Sequence, residues 1–303
     1  MPRFHDNRLR SLAEAVRGGT MRAASENLNV APSSISRQIA QLEEELGVPL
    51  IERNRSPLKL TEAGELALVY YREFVTQQEA FISQVRDLRR LKGGTVRLAV
   101  GEALIGDPLQ GVLERFMSQY PDIRVVMHTA GTADVVGMVL DDEAHMGMVF
   151  QPEPDAKIRV RASSDQPIKA IVNPGHALGK RTSVTLADLA GERLGMPEAA
   201  FRIRQVLRVA ESQEHVFLKP VMVSNSLMVL KEFVRSGAGI SLLPSIAAHA
   251  EISDGTLKAL SIDHPALLNT SASVITRLGR QLPVAAARLL QKIEATMPFL
   301  PAL

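Results

Sequence analysis

Along the first fifty positions, apolar residues recur at the three- and four-residue spacing of one helix face. Leu9, Leu12, Ala13 and Val16 make the first stripe, and Gly18-Gly19 ends it, as glycines do past a helix C-terminus. Thr20 is placed to cap a second helix over residues 21–28, with Ala23, Ala24 and Leu28 inward. After the short turn Asn29-Val30-Ala31, Pro32 opens a third helix where a missing N–H costs little. Ile35, Ile39, Leu42 and Leu46 form its stripe, and Gly47 stops it. Two short helices joined by a tight turn read as helix-turn-helix.

The other side of the third helix carries Ser33, Ser34, Arg37 and Gln41. Serine is a mediocre helix former, so this face needs a reason. A recognition helix enters a DNA major groove about 12 Å wide, and its outward side chains must reach base edges without clashing. Short hydroxyls fit there. Arg37 suits a bidentate contact to guanine, and Gln38 or Gln41 one to adenine. The competing reading is that the serines only occupy a first turn that tolerates them. The next segment, Arg53-Asn54-Arg55-Ser56-Pro57-Leu58-Lys59-Leu60, favours DNA. It is a basic turn between short extended pieces at 49–52 and 59–61, the position of a wing that lays Arg53, Arg55 and Lys59 along phosphates. Over residues 1–60 there are nine basic and seven acidic side chains, and Glu43-Glu44-Glu45 sits at the far end of the third helix.

Ala67, Tyr71, Phe74, Gln78, Phe81, Val85 and Leu88 then alternate spacings of four and three, a heptad seam. This predicts a long helix from residue 61 or 62 to the glycines at 93–94, about 45 Å at ~1.5 Å per residue. Four of the chain's 12 Phe and Tyr residues fall here (Tyr70, Tyr71, Phe74, Phe81). The expected partner is the same helix of a second subunit, with Tyr71, Phe74, Gln78, Phe81 and Val85 in the seam. The alternative is packing onto the chain's own C-terminal part. A dimer suits DNA reading, because paired half-sites need paired reading heads.

After Gly93-Gly94 the period changes. Strands are predicted at 95–100, 123–128 and 145–150, with helices at 107–120 and 133–142 between them. A second series has strands at 168–172, 193–196, 216–223 and 240–243, with helices from 201 and over 226–236. Alternating strands and helices imply two α/β subdomains with parallel sheets. Residues 163–167 and 261–265 read as the crossovers between them. A strand at 271–276 and a helix after Pro283 return to the first.

Composition mostly excludes. The chain has 303 residues, 46% hydrophobic and 22% charged, with a net charge of only +2. That is ordinary for a globular protein of two or three domains, and it neither requires nor forbids nucleic acid. Cysteine is absent, which removes disulfides, thiolate metal sites and cysteine nucleophiles. No run approaches the roughly 18 apolar residues of a membrane span, and MPRFHDNRLR has no signal core, so a cytoplasmic protein without membrane contact is expected. No Walker loop, HExxH or nucleophile elbow appears, and no metal, cofactor or catalytic residue is assigned.

The residues also match a family. "LRSLAEAV", "AASENLNVAPSSISRQIAQLEEELGVPLIER" and "LTEAGE" resemble the N-terminal domain of LysR-type transcriptional regulators. The family pattern falls on Ala23, Ala24, Leu28, Ser36, Leu42, Glu43, Leu46, Gly47 and Arg53, and its Thr-x-x-Gly on Thr61 and Gly64. Farther on, "FMSQYPDIRVVM", "NPGHALGKRTSVTLADLAGERL" and "LKEFVRSGAGISLLPS" resemble the family's effector-binding domain. The resemblance implies DNA contact by Ser34, Ser36, Arg37 and Arg53, with Ser33, Gln41, Arg55 and Lys59 added by position. It departs at Pro32-Ser33, where the family usually has Gln-Pro, and at His145, where it usually has Asp. His145 reads as a structural substitution, with a pH-sensing or ligand role as the alternative.

By this resemblance, residues 1–61 form a winged helix-turn-helix and 62–93 a linker helix for dimerisation. Residues 94–303 then form an effector-binding domain of two Rossmann-like subdomains of the periplasmic-binding-protein type. Subdomain 1 would hold 94–164 and 266–303, and subdomain 2 would hold 165–265. Ligands of such sheets bind beyond the carboxyl ends of the strands, between facing subdomains. The expected lining is Ala103, Leu104, Ile105, Thr129, Thr132, Met196, Phe201, Arg202, Asn225 and Ser226, with Arg202 or Arg204 clamping a carboxylate. The loop "GEALIGDP" lacks the hydroxyls many relatives place there, which favours a partly apolar effector such as an aromatic acid. The implied partners are double-stranded promoter DNA with dyad half-sites, a small-molecule effector, a homodimer or homotetramer, and RNA polymerase. A solute-binding protein or an α/β enzyme using the same cleft is the alternative function.

Overall fold

Leu9, Leu12 and Ala15 bury one side of α1 (Asp6–Arg17) against Ala24 of α2 (Met21–Leu28) and against Ile35, Ile39 and Leu42 of α3 (Pro32–Leu46). The structure is a computed structural model and describes residues 6–52, 58–88 and 93–297. The helix ends follow from the local chemistry. The Thr20 hydroxyl accepts from the Ala23 N–H at 3.1 Å, Pro32 occupies the first turn of α3, and Gly47 closes it at φ 71°. Polar ties then fix the three helices. Ser11 donates to the Gln38 amide oxygen, and Arg8 pairs with Glu45.

The wing has a short base. Ile51 and Leu60 form an antiparallel bridge, and Glu52 N–H donates to the Lys59 carbonyl at 2.8 Å. Residues 53–57, with Arg53 and Arg55, lie outside the described residues. Glu43 explains the Leu-Glu signature. One of its carboxylate oxygens accepts from the N–H groups of Leu50 (2.7 Å) and Ile51 (3.3 Å), tying α3 to the wing. The Thr61 hydroxyl donates to the Pro49 carbonyl and accepts from Gly64 N–H, capping α4 (Glu62–Leu88). By contacts, the chain divides within α4 into two units, Met1–Phe81 and Ile82–Leu303.

The second unit has two lobes. One begins with β1 (Gly94–Gly101), α5 (Asp107–Gln119), β2 (Ile123–Ala130), α6 (Thr132–Leu140), β3 (Met146–Phe150) and β4 (Ile158–Asp165). The other holds β5 (Ile168–Val172), β6 (Ser183–Val184), α7 (Leu186–Leu189), β7 (Leu194–Pro197), α8 (Arg202–Glu214), β8 (Pro220–Ser224), α9 (Leu227–Arg235), β9 (Ile240–Pro244), α10 (His249–Ser253) and β10 (Lys258–Ile262). The chain then returns through α11 (Pro265–Leu268) to β11 (Ser271–Arg277) and α12 (Val284–Thr296). The first sheet has strand order β2-β1-β3-β11-β4 and the second β6-β10-β5-β9-β7-β8.

Neither sheet is wholly parallel, which corrects the expectation. β11 runs antiparallel to β3 and β4, and β5 antiparallel to β9 and β10. The reason is the double crossing. β4 and β10 lead into the connecting segments, and β5 and β11 follow them, so each returning strand enters its lobe from the far side. The crossings are bonded to each other, with Gln166 N–H on the Thr270 carbonyl and the Thr270 hydroxyl on the Gln166 carbonyl at 2.6 Å.

Two sequence marks acquire physical reasons. Gly237 has φ 76°, and a Cβ on Gly239 would collide with the Arg193 carbonyl and the Phe233 ring, so the turn from α9 into β9 is close-packed. His145 is buried at the start of β3. Its Nδ1 accepts from Arg97 N–H at 3.1 Å while its own N–H donates to the Arg97 carbonyl. A carboxylate there would be the same kind of acceptor.

Candidate functional site

The polar face of α3 is presented as the period requires. Ser33, Ser36, Arg37 and Gln41 are exposed and Ser34 is half-buried, while Ile35, Ile39 and Leu42 are buried on the opposite side. None of these polar side chains bonds another described residue, so the row stays available to a partner. Gln38 does not belong to it, because its amide oxygen is taken by Ser11. The acidic run is also partly used internally, Glu43 by the wing and Glu45 by Arg8. Lys59 is exposed at the base of the wing.

On α4 the apolar row differs from the expected seam. Tyr71 is half-buried and packs on the core of the three N-terminal helices, along with Ala63 and Ala67. Leu66 (67% exposed), Val69, Tyr70, Phe74, Phe81 (64%) and Ile82 stand outward. Gln78 is exposed and Val85 half-buried.

The interlobe cleft is more altered. The side chains of Ala103 and Met196 belong to the core of the second lobe, and that of Leu104 to the core of the first. This corrects their expected place in the lining. The apolar spacing of "ALI" had no way to show that Ala103 and Leu104, in one short turn, plug the two cores. Ile105, Thr129 and Asn225 are exposed, and Phe201 is half-buried at the start of α8. The Thr132 hydroxyl donates to the Phe150 carbonyl at 3.1 Å.

The expected cationic clamps are engaged within the chain. Arg202 Nε donates to the Gln151 carbonyl at 2.8 Å, and its Nη1 bonds Glu153 at 2.8 Å and Gln205 at 3.0 Å. Arg204 pairs with the buried Glu211 at 2.8 Å. Gln151 itself has a left-handed backbone, φ 45°, and its side-chain oxygen accepts from Ser271 N–H. An open groove of about 600 Å³ runs beside it, lined by Gln151, Glu153, Ile158, Val160, Ser163 and Ser273 among others. Ser226 is also engaged. Its hydroxyl donates to Glu102 Oε1 at 3.2 Å, and the Leu227 N–H donates to the same oxygen at 2.8 Å. Gln151 and Glu153 were not singled out as site residues, and no local motif marks them.

Comparisons with known proteins agree with this architecture. The family model for the bacterial regulatory helix-turn-helix protein, lysR family, matches residues 7–65, and that for the LysR substrate binding domain matches residues 89–298. A probable RuBisCO transcriptional regulator of Synechocystis sp. is 24% identical over 296 residues, covering 96% of this chain and 86% of the relative. Full-length CbnR, solved in complex with its target DNA, superposes with a TM-score of 0.58 at 21% identity, covering 97% of this chain and all of that one. The regulatory domain of CcmR from Synechocystis PCC6803, solved with 2-PG, gives a TM-score of 0.60 at 21% identity over 67% of this chain and 97% of that one. With both of its domains matched in order and two lobes joined by a double crossing, the chain belongs to the LysR family of transcriptional regulators.

Proposed function

We propose that this ligand-responsive regulator reads promoter DNA through the outward row of α3, as a dimer paired along α4. Ser33, Ser34, Ser36, Arg37 and Gln41 would enter the major groove. Lys59, with Arg53 and Arg55, would hold the flanking phosphates and set the register. The observation that carries this reading is the unbonded polar row on α3, held outward by a buried apolar stripe and by the Ser11–Gln38 and Glu43 ties. Leu66, Tyr70, Phe74 and Phe81 would meet their copies in the dimer, and two dimers would associate as a tetramer. A small molecule between the lobes, near Ile105, Thr129, Phe201, Asn225 and Ser226, shifts the protein only by binding one arrangement better than another. The chain acts by binding rather than catalysis, in the cytoplasm where promoter and RNA polymerase are met.

The test is a footprint of the chain's own promoter region at low salt. The expected result is protection of two half-sites whose centres lie one helical turn, about 34–36 Å, or a multiple of it apart. Protection of a single unpaired site would remove the dimer, and no protection at any salt would remove the DNA assignment.

A further inference from the structure

We propose that Glu102 is a built-in anionic occupant of the cleft, and that it makes this regulator select an uncharged or cationic group, rather than a carboxylate or phosphate, at the start of α9. This rests on the reading of the interlobe space as the effector site.

Glu102 follows β1 in the first lobe, and Ser226 and Leu227 open α9 in the second. A single carboxylate oxygen of Glu102 takes both the Ser226 hydroxyl and the Leu227 N–H. α9 carries no acidic residue in its own first turn, and Ser226 makes no side-chain cap. The helix N-terminus therefore has its partial positive charge met from the opposite lobe. A helix start of this kind is otherwise suited to a ligand's negative group. Here an added anion would meet a carboxylate already in place, and like charges at such range repel.

The other positive groups expected at the cleft point the same way. Arg202 is held by Glu153 and the Gln151 carbonyl, and Arg204 by Glu211. Three cationic or helix-dipole positions are thus each matched by an internal acid. Two of these bonds, Glu102 to α9 and Arg202 to the segment after β3, also cross between lobes. A ligand that displaces Glu102 would therefore break an interlobe tie as it binds, which links occupancy to lobe arrangement.

The test is chemical rescue. Glu102→Ala in the full-length chain deletes an acetate-like fragment and exposes the α9 N-terminus. Its thermal unfolding midpoint is measured in sodium acetate and sodium propionate against sodium chloride at equal ionic strength, beside the wild type. The expected result is that acetate or propionate, relative to chloride, raises the midpoint of Glu102→Ala by more than it raises that of the wild type. Equal responses in both proteins, or no response in Glu102→Ala, overturn the proposal. Should Glu102→Ala not fold, Glu102→Gln keeps the shape and removes the charge. Amide hydrogen exchange over residues 226–230 should then be about threefold faster than in the wild type, given the usual strength of a charge at a helix end. Unchanged exchange overturns the proposal. A mobility shift with promoter DNA separates this from the regulator reading. Failed rescue with intact DNA binding removes only the role of Glu102, and rescue without DNA binding removes only the DNA reading.

Discussion

A methyl group on Gly64 would overlap the Leu50 carbonyl oxygen, an atom fixed in the wing by its bond to Thr61 N–H. Gly64→Ala should therefore cost about 1–3 kcal/mol, the usual range for overpacking, read as a lower urea midpoint of the N-terminal unit. Asp188 gives a pH-dependent counterpart. It closes a capping box with Thr185 and pairs with Arg181 at 2.9 Å. The Thr185 N–H first, then the Arg181 guanidinium and the Thr185 hydroxyl, lower its pKa from 3.8 to about 2. A depressed carboxylate stabilises the fold above its unfolded pKa, and that contribution disappears as pH falls from about 4 towards 2. Asp188→Asn should lower the thermal midpoint at pH 6, and the gap to wild type should close near pH 2. At this scale, what was legible in the sequence depended on helical period. Ser33, Arg37 and Gln41 stand outward because they lie opposite Ile35, Ile39 and Leu42. Gln38 lies at the border of that stripe, and only its bond to Ser11 across 27 residues decides its side.

Among the elements, α4 shows how one member of a periodic row can be drawn to a different core. Its heptad count placed Tyr71 in the seam, yet the first turns of α4 must also cover the winged helix, and Tyr71 serves that core. Leu66, Val69, Tyr70, Phe74, Phe81 and Ile82 are left outward, a stripe that water does not favour and a second helix would cover. Phe74→Glu combined with Phe81→Glu should yield monomers in sedimentation at concentrations where the wild type is dimeric. Each buried Phe contributes about 1.5–3 kcal/mol per subunit. A double variant that stays dimeric would place the interface elsewhere. Three strands were missed. β4 is an edge strand with most of its residues exposed, β6 has two residues, and β10 ends inside the segment at 261–265 that was read as a crossover. The strand expected from 216 begins only at Pro220. Ahead of it, the Leu218 N–H is taken by Glu211, and Phe217 stands 74% exposed.

At the scale of the whole molecule, the order of parts was readable, because helical, heptad and strand periods follow one another without overlap. The chemistry of the cleft was not. Arg202, Ser226 and Thr129 were found as residue types, but apart from Gln205 beside Arg202 the bonds that occupy Arg202 and Ser226 come from 49 to 124 residues away. Sequence spacing carries no trace of such pairs. DNA affinity should be set by the phosphate contacts of two reading heads. With six to ten such contacts, binding should weaken by roughly 10³–10⁵-fold between 50 and 200 mM salt. Lys59→Ala should lower the salt slope by about one per reading head, roughly two for the dimer, and weaken promoter and random DNA alike.

The outward row of α3 is tested most directly by measuring Arg37→Ala against wild type on promoter DNA and on random DNA at one salt concentration. Base reading by Arg37 predicts a loss of about 1–3 kcal/mol on the promoter and a much smaller loss on random DNA, so that the ratio of the two affinities falls. An equal loss on both sequences, or none on either, would contradict it.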